Sequence, residues 1–343
     1  MELMQKTFKP IFIFILINFY TGQITAADIS LGDDPNPKSI TIEKPALFPE
    51  DIKYDPHSDR FIVGSFREGA VYAINMDGTY QQLINDPRLH SVLGIQIDFK
   101  QDKLFVTNSD IGSSLRPFPG GPKKAAFLSI YQFSTGKPLH FINLSALKPK
   151  DKHLANGITL DPEGNAYITD SFSPVIYKVD LNGNASIFLE NKAFKGKGIN
   201  LNGIVYHPDG YLIAIKKGDG TLFKIPLDNP QSFSIIDTTR KFVGGDGLVL
   251  AGKNNLVVIA NQAAGEITET VFALKSKDHW ASANITTKYT FDPVYLTTGA
   301  VRNGELFVLH SNINTLISTP QDKKNTLKHK ATIQKVGSIT HHH

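Results

Sequence analysis

One hairpin phrase recurs six times along this chain, and that recurrence constrains the fold more than any other feature. NGITLDPEGNAYITD from Asn156 and NGIVYHPDGYLIAIK from Asn202 are near-copies of one another. EDIKYDPHSDRFIVG from Glu50, LGIQIDFKQDKLFVT from Leu93, DGLVLAGKNNLVVIA from Asp246 and TGAVRNGELFVL from Thr298 fall in the same register. Each copy is a short apolar strand, a turn rich in Pro, Gly, Asp or Asn, and a second strand of Val, Ile, Phe or Tyr, which is a β-hairpin. Two more strand-like stretches follow, VIYKVDL and ASIFLE after the third copy, TLFKIPL and FSIID after the fourth. The copies begin 43, 63, 46, 44 and 52 residues apart, and four strands every 40–50 residues or so mark a propeller blade. The sequence therefore predicts an all-β fold, a six-bladed β-propeller with four antiparallel strands per blade. A β-sandwich would space its strands evenly without repeating phrases. Either ITIEKPALF before Glu50 or TLKHKATIQKV near the C-terminus is expected to close the ring.

The repeats leave the ends of the chain outside them. Lys6 and Lys9 precede an apolar run from Ile11 to Tyr20, then polar residues and Ala26-Ala27. That order describes a secretory signal peptide over residues 1–27, and ten residues of helix rise only about 15 Å, half of a bilayer's hydrocarbon core. Residues 28–340 are expected to form a single propeller domain, with His341–His343 a short tail of the kind a purification tag leaves, set aside from any metal argument. The expected location is secreted or periplasmic, with no stable membrane span once the leader is removed. The chain has no cysteine, which excludes disulfides, thiolate metal sites and a cysteine nucleophile. A net charge of +4 over 343 residues is too weak to indicate nucleic acid as a partner.

Corresponding positions in the repeats form a ring about a propeller's central channel. The residues opening the six hairpins are Glu50, Leu93, Asn156, Asn202, Asp246 and Thr298, and in five copies a glycine follows. Asn-Gly and Asp-Gly are common turn dipeptides, but here the turns, DPEG and HPDG, lie five residues downstream. Glu50, Asn156, Asn202 and Asp246 offer carboxylate and amide oxygens without sulfur or imidazole, a donor set for one hard divalent cation, calcium foremost. Their formal charge of −2 matches such an ion.

These residues, Glu and then Asn-Gly, Asn-Gly and Asp-Gly at successive blade starts, resemble those of the regucalcin/gluconolactonase (senescence-marker-protein type) family and, more distantly, of paraoxonases and diisopropylfluorophosphatases. PEDIKYDP, RFIVGS, LNGIVYHPDGYL and KSKDHWA are similar to a branch described as calcium-dependent phosphotriesterase-like. The resemblance runs from Glu50 to the C-terminal strands. It implies Glu50, Asn156, Asn202 and Asp246 as metal ligands, with Asp246 also the catalytic base. Leu154 stands where the lactonases carry an arginine, and Leu93 where paraoxonases carry a histidine.

The reading that follows is a secreted, calcium-dependent hydrolase of an ester, lactone or phosphotriester, with Asp246 as nucleophile or general base. The alternative is a non-catalytic propeller that binds a small molecule or protein, its calcium structural or absent. Lys216, His153, Leu93 and Thr298 are expected around the substrate mouth. Lysines before Asn156 and Asn202 and at Lys216 point to a small-molecule substrate of anionic character. No Gly-x-Ser-x-Gly elbow or His-Glu-x-x-His is present.

Overall fold

The computed structural model describes residues 27–263 and 265–341. The expected leader thus lies outside the described residues except for Ala27, as do His342 and His343 of the tail. The described chain is a six-bladed β-propeller. Blade one runs Pro49–Asp55, Arg60–Ser65, Ala70–Ile74, Tyr80–Ile84, each strand antiparallel to the one before. Blades two, three and four repeat that order, from Ser91, Ala155 and Leu201. Blade five, from Gly245, gains a two-residue strand, Asp237–Thr238, parallel to its outer edge.

Blade six is assembled from both ends of the chain. Leu296–Arg302 and Glu305–His310 form its hairpin, and Ala331–His341 is its third strand. Both Ala27–Leu31 and Ser39–Ile42 pair with that third strand. Each of the two stretches singled out from the sequence therefore takes part in the closure, and Ala27–Leu31 joins them.

The turns follow from the sequence. Asp161-Pro162-Glu163-Gly164 and His207-Pro208-Asp209-Gly210 close their hairpins with Gly N–H donating back to the first carbonyl, at 3.0 and 2.9 Å. Gly164 and Gly210 sit at φ +87° and +84°, which only glycine adopts at little cost.

The second strand of every blade is sandwiched between two neighbours, so alternate residues feed two different cores. In Tyr211–Lys216, Leu212 and Ala214 pack towards blade three while Ile213 and Ile215 pack towards blade five. In Arg60–Ser65, Phe61 and Val63 face blade six and Ile62 faces blade two. Six seams result, each with its own apolar cluster, and each fully buried Ile, Leu or Phe in them is worth about 1.5–3 kcal/mol. This is why those strands read as continuous apolar runs. The outermost strands, by contrast, alternate or are largely exposed, as in Pro138–Asn143.

Candidate functional site

All six channel strands carry a β-bulge at the same height. The register shifts between Pro49 and Ile52, Val92 and Ile95, Ala155 and Ile158, Leu201 and Ile204, Gly245 and Gly247, and Leu296 and Gly299. A bulge turns a side chain out of the regular pleat, and the first residue of each bulge is Glu50, Leu93, Asn156, Asn202, Asp246 or Thr297. This corrects the sixth copy: Thr297, not Thr298, stands level with Glu50. Thr298-Gly299 imitates Asn-Gly in sequence, but Leu296 pairs with His310 and Gly299 with Val308, which places the bulge one residue earlier.

The next position holds Gly94, Gly157, Gly203 and Gly247 because the next blade leaves no room. A Cβ on Gly94, Gly157 or Gly203 would lie within 3.0 Å of the carbonyl oxygen of Asn156, Asn202 or Asp246, respectively. Blade one uses Asp51 instead, whose Oδ2 accepts from the N–H of Ile95 in blade two at 2.8 Å.

Glu50, Asn156, Asn202 and Asp246 converge on one cavity of about 40 Å³ in the channel, together with Leu93, Thr297 and Thr298. That volume exceeds the room one water needs, roughly 10–15 Å³. Asn156 Nδ2 donates to Ser171 Oγ at 3.0 Å, which fixes its amide. Asn202 Nδ2 donates to Asp246 Oδ1. Among the described residues no donor meets the Glu50 carboxylate, and Thr297 Oγ1 is buried without a partner. Burial pushes the Glu50 carboxyl well above the usual range, and the nearby Asp246 charge adds to it.

A second tier sits just beyond the ring, at the ends of the second strands: Phe66, Ser109, Ser171, Lys217, Asn261 and Ser311. Lys217 Nζ, buried, donates to Asp246 Oδ2 at 2.7 Å and to Asn261 Oδ1 at 2.5 Å. Asn261 Nδ2 in turn donates to Asp246 Oδ2 and to the Leu296 carbonyl. Burial, the largest single influence, would lower the Lys217 pKa, but the charge and hydrogen bond of Asp246 together with Tyr295 and Glu50 outweigh it and the net shift is upward. Glu269, also buried, accepts from Leu296 N–H at 2.9 Å, and its carboxyl is raised, chiefly by burial. The sequence reading missed Lys217, Asn261 and Glu269. Lys217 and Asn261 occupy the register of Ser171, three residues after the apolar heart of each second strand, a signal the repeats contain.

Of the residues expected at a mouth, Leu93 and Thr298 line the cavity. Lys216 does not: its Nζ is tied to the carbonyls of Ala193 and Lys195, at 3.1 and 2.8 Å, and to Asp219 at 2.9 Å, in a separate cleft. His153 is a correction. It is buried away from the cavity, Nδ1 at 2.8 Å from Asp170 Oδ2 and Nε2 at 2.9 Å from the Lys148 carbonyl. Burial lowers its pKa and the Asp170 hydrogen bond and charge raise it, with a net upward shift. Above the ring, Phe48, Phe66, Leu93, Leu154, Tyr295, Ile313 and Leu316 form an apolar roof. In the other direction the cavity shares Lys53, Ile158, Ile204 and Leu248 with a hollow of about 470 Å³ at the far end of the channel.

The donor set fits a hard cation. Two carboxylates and two amides face one small cavity, a threonine hydroxyl beside them lacks a partner, and Glu50, Asp246 and Glu269 outnumber the Lys217 ammonium by two formal charges. Such an excess in a buried place is met by a counter-ion or by protonation of the Glu50 and Glu269 carboxyls, the direction in which burial pushes both. No group of three or more His, Cys, Asp or Glu side chains able to hold a metal occurs among the described residues; any donor set here would have to include the Asn156 and Asn202 amides.

No protein-family model matches the chain, and no curated protein matches its sequence. Solved structures do resemble it. The Malassezia sympodialis allergen Mala s 1 superposes with a TM-score of 0.69 at 17% identity, over 88% of this chain and 96% of that one. A luciferin-regenerating enzyme gives 0.59 at 14% identity, over 88% and 95%. A calcium-binding protein, regucalcin, from Agrobacterium tumefaciens strain C58 gives 0.57 at 16% identity, over 86% and 92%. At these identities what is shared is the six-bladed fold, with regucalcin and a luciferin-regenerating enzyme among the proteins that have it.

Proposed function

We propose that this chain is an exported, calcium-dependent hydrolase of the regucalcin/gluconolactonase type, in the phosphotriesterase-like branch, acting on an ester, lactone or phosphotriester. The observation that carries the reading is the convergence of Glu50, Asn156, Asn202 and Asp246 at equivalent bulges on one cavity. These four side chains would hold the ion, which when bound polarises a carbonyl or phosphoryl oxygen. Asp246 serves as nucleophile or as base toward water. Lys217 and Asn261 grip its Oδ2 from the second tier and so fix the direction of Oδ1. Ser171 holds Asn156 in the same manner. The N-terminal Lys6–Ala27 pattern supports export. The expected partner is a small molecule, not nucleic acid.

A second reading has its own observation. Lys217 places a fixed positive charge against Asp246, so a non-catalytic propeller can balance that carboxylate without a metal. Calorimetric titration with calcium, run beside ester and lactone hydrolysis with and without chelator, separates the two. Calcium binding with chelator-sensitive turnover is the hydrolase outcome. Absent turnover, with calcium heat if the ion is structural and without it if the ion is absent, is the outcome of the binding propeller.

A further inference from the structure

A second cleft opens on the ring face at the seam of blades four and five, with a volume of about 610 Å³, within the range of small-molecule sites. Two glycine-rich loops of blade four form one side of it. Gly196-Lys197-Gly198-Ile199-Asn200 leads into the channel strand, and Lys216-Lys217-Gly218-Asp219-Gly220 leaves the second strand. The loops are stapled together by Lys217 N–H donating to the Asn200 carbonyl at 2.8 Å.

Three carbonyls in and beside the first loop are already taken, while the Asn200 side-chain oxygen is buried without a partner. Lys216 Nζ binds the carbonyl of Lys195, and Asn200 Nδ2 binds those of Gly196 and Gly198, at 3.4 and 3.2 Å. A trans peptide sets its C=O and N–H on opposite sides, so the N–H groups of Gly196, Lys197 and Ile199 point away from those staples. Among the described residues none of the three donates a hydrogen bond, nor does the N–H of Gly218. Gly198, at φ +72°, bends this run of amides, and such runs make anion-binding concavities. Lys197, exposed, has no ion-pair partner among the described residues, while the buried ammonium groups of Lys216 and Lys217 behind the loops are already paired, with Asp219 at the cleft and Asp246 in the ring cavity.

Across the cleft stands Tyr295. Its backbone is held at φ +51°, a conformation costly for an aromatic residue, and its ring lies over Lys217 Nζ at 5.2 Å. We infer that this cleft is a binding site for a small organic oxyanion, a carboxylate or phosphate ester, whose charged head meets the amides and Lys197 and whose flat or apolar part lies against Tyr295. The site uses only the chain's own donors, so it stands apart from the calcium reading. Lys217 nonetheless connects the two, since its Nζ touches Asp246 in the ring cavity.

The experiment is calorimetry of the full chain with phenyl phosphate, benzoate, inorganic phosphate and phenol, each with and without chelator. A Cβ on Gly198 would have no atom within 4 Å, and Asn and Asp both tolerate the left-handed conformation. Gly198→Asn and Gly198→Asp therefore compare the same shape with and without a negative charge, with folding checked by circular dichroism. Phenyl phosphate or benzoate should bind the wild type more tightly than phenol or inorganic phosphate. Gly198→Asp should weaken that binding roughly tenfold relative to Gly198→Asn, the scale of one charged hydrogen bond, and Lys197→Ala should weaken it in the same direction. Whichever aromatic anion binds tighter identifies the head group. Absent binding of both, equal affinity in the two Gly198 variants, or binding that chelator abolishes would each overturn the inference. Anion binding retained in a chain that takes up no calcium would sink the hydrolase reading and leave this one standing.

Discussion

Lys217 Nζ lies 2.7 Å from Asp246 Oδ2, and the two residues come from different blades, one ending the second strand of blade four and the other opening blade five. Both are almost wholly buried. The contact joins a seam of the propeller to its channel, so its removal tests packing and ion binding together. Breaking such a buried pair from one side costs about 3–5 kcal/mol. Lys217→Met, which keeps the length of the side chain and drops its charge, should lower the melting temperature in chelator. Added calcium should recover much of that loss, because the variant cavity carries one more uncompensated negative charge. A melting temperature indifferent to calcium would argue for the binding propeller.

Asp246→Asn tests the chemistry. Asn keeps the shape but has one acceptor oxygen where Asp has two, so either Asn202 or the Lys217–Asn261 pair loses its acceptor. The fold should persist by circular dichroism at a lower melting temperature, and calcium affinity should fall. Turnover should drop ~100-fold or more if Asp246 supplies the base or nucleophile. Turnover retained with the ion bound would remove it from the reaction.

Gly157 tests the ring's geometry apart from its donors. A side chain there would collide with the Asn202 carbonyl of the next blade, and overpacking of this kind costs about 1–3 kcal/mol. Gly157→Ala should lower the urea midpoint by a matching amount and weaken calcium binding, although no donor atom is lost. Unchanged affinity would mean that the ring tolerates displacement of Asn202.

Two histidines set an acid limit on stability. His310 and His329 are buried, each with Nε2 unpartnered, and burial lowers their pKa from 6.5 to about 4. Between those values the unfolded chain binds protons that the folded chain refuses, so stability falls as pH drops from 6.5 towards 4, with a ceiling on the order of 3 kcal/mol per ring. His153 works in the opposite sense: its raised folded pKa gives stability that is full below 6.5 and lost as pH rises through the folded value. Thermal melts across pH 4–8 should show the acid loss, and His329→Phe, which preserves the stack on Phe48, should reduce it. An unaltered slope would show that His329 does not titrate in this way.

Much of this was legible in the sequence because it repeats. The strand-turn-strand phrase exposes the period, and equal register brings Glu50, Asn156, Asn202 and Asp246 together without any coordinates. What the repeat could not convey is the bulge. It skips residues in one strand only, so Thr298-Gly299 looked like Asn202-Gly203 while Thr297 held the place. Lys217 was visible as a charge at a strand end, but its contact with Asp246 crosses a seam, and nothing local distinguishes it from Lys216, which turns the other way. From sequence His153 is expected at the mouth because the partners that bury it, Tyr177 and Asp170, come from other strands.

The closure of blade six carries a consequence for how the ring forms. Ala331–His341 is not an edge strand: it lies between Glu305–His310 and the two N-terminal strands, and Ala331 and Ile333 complete the apolar seam with blade one. Ile40 pairs with Ile333 and Ile42 with Ala331, so residues far apart in sequence must meet before that seam exists. Such contacts are slow to form, because the loop-closing entropy comes before the reward. Folding should therefore be limited by a late joining of the ends. Moving the break in the chain to an exposed hairpin turn such as that at Gly210, with the present ends linked, would make Leu201–His207 and Tyr211–Lys216 the distant strands that must meet, so the late step should move from blade six to blade four while the final ring stays the same.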